Sequence, residues 1–397
     1  MSIHVAVVLQ NSLVEVDMRP RAEAEALAAA GFAVTLVGGT WNPEEARAAV
    51  APDVQLRLFR LPRQANGFGG QFRELGQVFA RVTRALVGLS RQTPVDVIHA
   101  SNPPDNLWLL PRVLKRVQGF APHFVFDQHD VAPVLLEEKY GRRGAMRLFS
   151  ALTHRFEAES FRRASLVVFA NPEYAARARA AGLLPDRWEV VENTWSLPET
   201  DWREDWRGNA QHLVAYVGAI NKQDCVDHLV EAVALLPQQE IRVVTMGTGD
   251  GVGPAQSRAD ELGTAETFEW LGYVQDRERI SSLVRAADVC VAPETDSEFN
   301  RLASFVKIVE YMSAGAAIAA HPLQQNKTMC GETVEYAPGM SPADLAEAIS
   351  TLLNDPHRRQ ELGAAARRRY MEKLRWEAGG AINLVRAYTD AFGTPNG

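Results

Sequence analysis

A short unbroken apolar run followed by a helical stretch recurs along this chain, pauses once, and then begins again. The first series has apolar runs at residues 4–9, 33–39, 95–100, 123–127 and 166–170, with a helix read from Pro20 to Ala30. Runs of Val, Ile, Leu and Phe without polar alternation indicate strands buried on both faces, as in a parallel sheet covered by its crossover helices. The pause, residues 193–205, is poor in apolar side chains, holds Pro198 and reads as a linker. The second series has runs at 213–218, 241–247, 269–273, 289–293 and 316–320, with a helix over 226–236. At 397 residues the chain exceeds one ordinary core and fits two. The expected architecture is therefore α/β, two Rossmann-like doubly wound domains, residues 1–196 and 197–377. The helices between 341 and 392 are amphipathic and long enough to pass from one domain to the other. The helix at about 378–397 is expected to pack back on the first domain.

The net charge of −7 is unevenly spread. Residues 1–196 carry 23 Lys+Arg against 20 Asp+Glu, and the remainder 19 against 29. A near-neutral half and an acidic half argue against nucleic acid as a partner. Three cysteines, Cys225, Cys290 and Cys330, are an odd count without metal-ligand spacing, so neither a disulfide nor a metal site is expected and the thiols read as reduced and cytoplasmic. The first residues read as a strand and not as a signal peptide, and no apolar run approaches the roughly 20 residues that span a bilayer. Between Val134 and Arg163, basic residues (Lys139, Arg142, Arg143, Arg147, Arg155, Arg162 and Arg163) interleave with Leu, Phe and Met. Peripheral membrane contact through an interfacial helix is one reading of this segment. Glu137, Glu138, Glu157 and Glu159 dilute the charge, and a solvated face over a core stripe is the favoured one.

Ligands of open α/β sheets sit beyond the carboxyl ends of the strands, so the loops after the strands carry the candidates. In the second domain Gly218 allows close backbone approach, and Asn221 and Lys222 follow it toward a helix N-terminus that can face a phosphate. Gly247 ends the next strand in a Gly-Thr-Gly, and Tyr273 and Val274 follow the third, where backbone groups can hold a base edge. Taken singly, each of these is equally an ordinary turn. The segment from Glu298 to Gly315 is richer. Ser304 is placed to cap a helix, the amides of Phe305 and Val306 would then face an anion, and Lys307 and Glu310, three apart, share one face. Read without further context, a surface Lys–Glu pair is the favoured reading.

The two-domain pattern with Lys-Ile-Val-Glu-Tyr-Met-Ser-Ala-Gly at 307–315 resembles the family-4 retaining glycosyltransferases of GT-B fold, whose two domains face a central cleft. Glu310 matches the second Glu of that family's E-x7-E motif, the one that holds the nucleotide ribose, while the first position falls on Leu302. A subgroup similar to bacterial surface-polysaccharide and secondary-metabolite transferases instead has an Asn before N-K-I-x-E-Y-M-A-x-G. Asn300, Lys307, Glu310, Tyr311, Met312 and Gly315 keep much of that pattern, and Gln223-Asp224-Cys225-Val226-Asp227 is similar to its Q-D-G-V-D. In the first domain Asp17-Met18-Arg19 matches its D-x-R and Asp127-Gln128-His129-Asp130 its D-x-H-D. Val191-Glu192-Asn193-Thr194 is similar to V-x-N-G, with Thr for Gly, and Gln10-Asn11-Ser12 stands where the family has a glycine-rich loop. The family's diphosphate-gripping Arg is missing; Lys222 stands near its place and Lys307 is expected to substitute.

The resemblance implies a nucleotide sugar, UDP- or GDP-linked, as co-substrate, with no cofactor and no metal. It implies a sugar, lipid-linked or small-molecule acceptor, and a role in bacterial glycan or natural-product biosynthesis. His129 would contact the transferred sugar, although a histidine between two aspartates is in itself often just a polar loop residue. Donor would be held by Gly218, Asn221, Lys222, Gly247, Tyr273, Val274, Ser304, Phe305, Val306, Lys307 and Glu310, and acceptor by Gln10, Asn11, Arg19, Asp130 and Asn193. Transfer would retain anomeric configuration by positioning and charge stabilisation. The rivals are a nucleotide-sugar 2-epimerase of the same fold and a nucleotide- or glycan-binding pseudoenzyme. No G-x-G-x-x-G opens a helix after any strand, which disfavours a dehydrogenase.

Overall fold

The computed structural model describes residues 2–62, 68–140, 145–237 and 240–395. The chain forms two compact units, Met1–Asn193 with Gly379–Gly397, and Thr194–Ala378. In the first, the strands are β1 (His4–Leu13), β2 (Ala33–Thr40), β3 (Gln55–Arg60), β4 (Val97–Ser101), β5 (His123–Gln128), β6 (Leu166–Phe169) and β7 (Trp188–Val190). They form one parallel sheet in the order β3-β2-β1-β4-β5-β6-β7. The helices are α1 (Met18–Ala29), α2 (Pro43–Ala48), α3 (Phe68–Ser90), α4 (Leu110–Gln118), α5 (Ala132–Tyr140), α6 (Ala145–Arg163) and α7 (Pro172–Ala180). Local chemistry sets several starts: Asp17, Asn42 and Asn171 accept backbone N–H bonds at the N-caps of α1, α2 and α7, and proline opens the latter two.

The second unit holds β8 (His212–Val217), β9 (Ile241–Met246), β10 (Phe268–Trp270), β11 (Val289–Ala292), β12 (Ile318–Ala320) and β13 (Glu335–Tyr336). They lie in the order β10-β9-β8-β11-β12-β13, again all parallel. Its helices are α8 (Val226–Ala234), α9 (Val252–Glu261), α10 (Arg277–Ala286), α11 (Val306–Ala314), α12 (Gln324–Cys330), α13 (Pro342–Asn354) and α14 (Pro356–Arg369). Two apolar layers cover its faces. Leu213, Ala215, Val217, Cys290, Ala292, Ile318 and Ala320 face one layer, and Val214, Tyr216, Val289, Val291 and Ala319 face the other. That alternation is the strand period of two, made apolar on both sides because helices cover both. After breaks at Tyr370–Leu374 and Trp376–Ala378, α15 (Gly380–Phe392) belongs to the first unit. There the Tyr388 hydroxyl lies 2.7 Å from His99 Nδ1, and Arg187 donates to the Ala391 carbonyl at 3.0 Å.

Three strands were not among those read from the sequence. β3 is a half-exposed edge whose polar residues break the apolar run, and β7 and β13 have only three and two residues. Within the basic segment, Arg142, Arg143 and the side chains of Glu138 and Lys139 lie outside the described residues. Arg162 and Arg163 pair with Glu159 on the exposed face of α6. No helix among the described residues is long and apolar enough to cross a membrane.

Candidate functional site

In the first unit the site gathers where β1, β4 and β5 end. The ladder between β1 and β2 skips from Leu9–Gly38 to Leu13–Gly39, so Gln10, Asn11 and Ser12 stand out of register. Gln10 is buried and neither of its amide atoms has a partner among the described residues; Asn11 is exposed. Arg19, in the first turn of α1, is 2% exposed. Its Nη2 donates to Asp127 Oδ1 at 2.7 Å, its Nη1 to Asn193 Oδ1 at 2.9 Å, and its Nε lies 3.0 Å from Glu23 Oε1. His99 Nε2 lies 3.1 Å from Glu23 Oε2, and His129 Nε2 contacts Asp127 Oδ2. The structure thus brings Arg19, Asn193 and His129 together around Asp127. Asp130 joins through its backbone: its N–H and that of His129 both donate to Asn102 Oδ1, at 3.1 and 2.6 Å.

The charges in this cluster fix one another. Burial alone would neutralise Asp127, but Arg19 and His129 outweigh it and hold the carboxyl well below its ordinary range. Burial also disfavours charge on the two histidines, yet Glu23 and Asp127 carry His99 up to about 9, and Asp127 raises His129. His129, its side chain 13% exposed, sits at the edge of an otherwise closed ion cluster, where Asp127 favours its protonated form against the penalty of burial. Glu23, His99 and Asp127 each offer one atom within 4.8 Å of the others, the spacing a metal would need. The Arg19 guanidinium already serves both carboxylates, and a dication beside it would meet like charge, so the cluster reads as an ion-pair core.

In the second unit the loops after β8, β9 and β11 meet the start of α11. A Cβ on Gly247 would fall 1.8 Å from the Gly218 carbonyl oxygen, and one on Gly218 would fall 2.9 Å from Lys307 Cε. These glycines are there because two backbones and a lysine stem pack without room for a methyl group. Asn221 and Asp224 cap the turn that follows through reciprocal bonds. Lys222 is exposed, and its N–H donates to Asp250 Oδ1 at 3.2 Å. Tyr273 is 67% exposed; Val274 is half-buried and packs against the core that holds Phe305, and the adjoining Gly272 carbonyl accepts from the Gly247 N–H at 2.8 Å.

Lys307 is buried, with Nζ on Glu294, 3.3 Å from Asp224 Oδ1 and 2.7 Å from the Tyr216 hydroxyl. Against the penalty of burial, those neighbours raise it well above its usual range. As folded, its charge is already answered within the protein. Ser304 does not cap α11: the N-cap position is Phe305, no side chain bonds the first-turn amides, and the helix begins at Val306. The reason is that the chain stays extended one residue further, which turns the phenyl ring of Phe305 into the core. Glu310 is buried, and burial raises its carboxyl while Arg277 Nη1, 2.7 Å from Oε1, pulls it back. Arg277, Glu294 and Asp224 were not picked out in the sequence as site residues. Arg277 is marked only by following Asp276, the N-cap of α10.

Two parallel, doubly wound units of seven and six strands, each with its polar groups at the strands' carboxyl ends, define the GT-B fold. Among solved structures the chain is similar to sucrose-phosphate synthase from Thermosynechococcus elongatus, at TM-score 0.74 and 20% identity over 98% of this chain and 99% of that one. It is also similar to Anabaena HepE in complex with UDP-glucose, at 0.68 and 15% over 98% of each. Residues 17–194 match the glycosyl transferase 4-like domain and residues 211–355 the glycosyl transferases group 1. The chain belongs to the family-4 glycosyltransferases. A D-inositol 3-phosphate glycosyltransferase of Thermomonospora curvata is 29% identical over 198 residues, 47% of this chain and 44% of that protein. A GDP-mannose-dependent phosphatidylinositol dimannoside mannosyltransferase of Mycobacterium tuberculosis is 24% identical over 184 residues, 46% and 45%. These matches thus span less than half the length of the curated relatives.

Proposed function

We propose that the protein transfers a sugar from a nucleotide sugar to an acceptor hydroxyl, with retention and without a metal. The observation that carries the reading is α11: nine residues long, uncapped at its N-terminus, with Lys307 in its first turn and Glu310 one turn on. Free amides at a helix N-terminus, reinforced by its dipole, take a diphosphate, and a carboxylate one turn further along accepts from the ribose hydroxyls. Lys222 adds an exposed charge on the neighbouring loop, and Tyr273 and Val274 take the base edge. In the first unit His129, charged through Asp127, donates to the transferred sugar. Arg19, Gln10, Asn11, Asp130 and Asn193 shape the acceptor side. The UDP and GDP sugars of its relatives make those two nucleotides the first to try.

The test is transfer with UDP- and GDP-sugars against an acceptor panel in excess EDTA, following nucleoside diphosphate release and product anomer by NMR. Acceptor-dependent release with unchanged anomer supports the reading; release that stops in EDTA, or an inverted product, contradicts its finer parts. Binding without turnover is the second reading, favoured by Leu302 in the first Glu position and by the internal pairing of Lys307. A 2-epimerase would instead give an isomerised donor with no acceptor present.

A further inference from the structure

The first unit holds a cavity of about 470 Å³ beside the ends of β4 and β5, well within the range of small-molecule sites. Its walls are Leu75 of α3, Leu135 and Leu136 of α5, and Phe149, Leu152 and Phe156 of α6. Asn11 near the end of β1, with Asp105 and Asn106 of the loop after β4, gives it a polar side, and Thr153 of α6 is a further polar lining residue. On α6, Leu148 and Leu152 are 79% and 41% exposed and stand one turn apart, so the apolar surface continues outward. Such surface persists on a folded protein mainly where something covers it.

The polar side is unfinished. Asp105 is 5% exposed; its Oδ1 accepts from Asn102 Nδ2 at 2.8 Å, while Oδ2 has no partner among the described residues. Asn106 Oδ1 is likewise buried and unpaired. Buried polar atoms are ordinarily bonded, and a ligand hydroxyl would supply what the protein withholds. Burial pushes the Asp105 carboxyl up to about 7, helped by Glu157 and Asp130 and opposed by the Asn102 bond and Arg177, so it can donate or accept near neutrality. Asn102, which holds Asp105, also binds the backbone N–H groups of His129 and Asp130. The polar side is therefore tied to the loop that carries the sugar-site histidine.

We propose that this cavity binds the apolar body of the acceptor, a hydrocarbon chain or aryl group next to a hydroxyl, with Asp105 and Asn106 bonding its polar end. The proposal rests on the glycosyltransferase reading and names its acceptor class. A wholly polar sugar would leave six apolar walls against water, at a cost that grows with their area.

Calorimetric titration with three glucosides that differ only in aglycone tests it: n-octyl, 4-nitrophenyl and methyl β-D-glucoside, the first kept monomeric. The expected result is binding of the octyl or nitrophenyl compound at least about tenfold tighter than methyl. Octyl alone points to a lipid-linked acceptor, nitrophenyl alone to an aromatic one, and either supports the cavity. In Gly76→Trp the advantage disappears. Gly76 lines the cavity, a Cβ there meets nothing within 4 Å, and replacing a helical glycine does not weaken the helix. Leu152→Gln, at a partly exposed position, reduces the advantage with little risk to folding. Equal binding of the three glucosides, or an advantage that survives Gly76→Trp, overturns the proposal. UDP and GDP titrations run in parallel: failure of both counts against the transferase reading, while the glucoside comparison still decides the cavity.

Discussion

Each unit buries a cation between two carboxylates near the carboxyl ends of its strands, and the two clusters respond differently to the same burial. In the first unit Arg19 lies between Asp127 and Glu23, and two histidines complete the set. In the second Lys307 lies between Glu294 and Asp224. Asp127 stays ionised because several cations face it, whereas burial pushes the Glu294 carboxyl up even beside Lys307. In the first cluster the neighbouring charges favour the ionised carboxylate and the protonated form of His129. In the second, burial favours the protonated form of Glu294, which weakens the hold on its lysine.

The comparison breaks most clearly when one partner is removed from each cluster. Asp127→Asn leaves Glu23 as the one carboxylate in ion-pair contact with Arg19 and His99, with Asp17 and Asp130 acting at longer range on Arg19 and His129, and is expected to cost about 3–5 kcal/mol at neutral pH. Lys307→Met lets Glu294 protonate, and is expected to cost about 1–3 kcal/mol. Hydrogen exchange of β5 and β8 amides, read in each variant, gives the two values separately. Equal losses would show that the second cluster depends on its charges no less than the first.

pH sharpens the contrast within the first unit. The raised His99 contributes stability that is fully present below its ordinary value near 6.5 and is lost as pH rises through about 9. The raised Asp105 contributes stability present below 3.8 and lost as pH rises through about 7. The windows span on the order of 3 kcal/mol for His99 and about 4 kcal/mol for Asp105. His99→Gln should flatten the upper window alone and Asp105→Asn the lower one alone, in denaturant titrations from pH 4 to 9.5. A smaller effect separates the glycines: Gly247→Ala, whose methyl group would collide with the Gly218 carbonyl, should lose about 1–3 kcal/mol. Gly76→Ala should lose nothing and gain up to about 1 kcal/mol from helix propensity, by the same denaturant measurement.

The repeated strands were legible because a strand covered on both faces has no polar alternation to confuse it, as at Val5–Leu9 and Val289–Ala292. The edge strands β3, β7 and β13 lack that signature. Of the site, Arg19, His129 and Asn193 were legible as separate short patterns, and the structure joins them through Asp127. The rest of that cluster was not legible. His99 sits inside an apolar strand and meets Tyr388, 289 positions away, so nothing local marks either as part of a charged network. Arg277 and Glu310, 33 apart, meet only because α10 packs beside α11. The cap expected at Ser304 failed for a local reason: burial of Phe305 decides where α11 begins.

Thermal stability reads out whether α11 of the second unit holds the diphosphate of a nucleotide sugar, as proposed. UDP-, GDP-, ADP-, dTDP- and CDP-sugars would be compared on the wild-type protein and on Glu310→Ala. A ligand at 100 times its dissociation constant adds about 2.7 kcal/mol, or roughly 5–10 °C for a domain near 200 residues. Stability is expected to rise with UDP- or GDP-sugars and the rise to be lost in Glu310→Ala. No rise with any nucleotide, or one that Glu310→Ala leaves intact, would contradict the proposal.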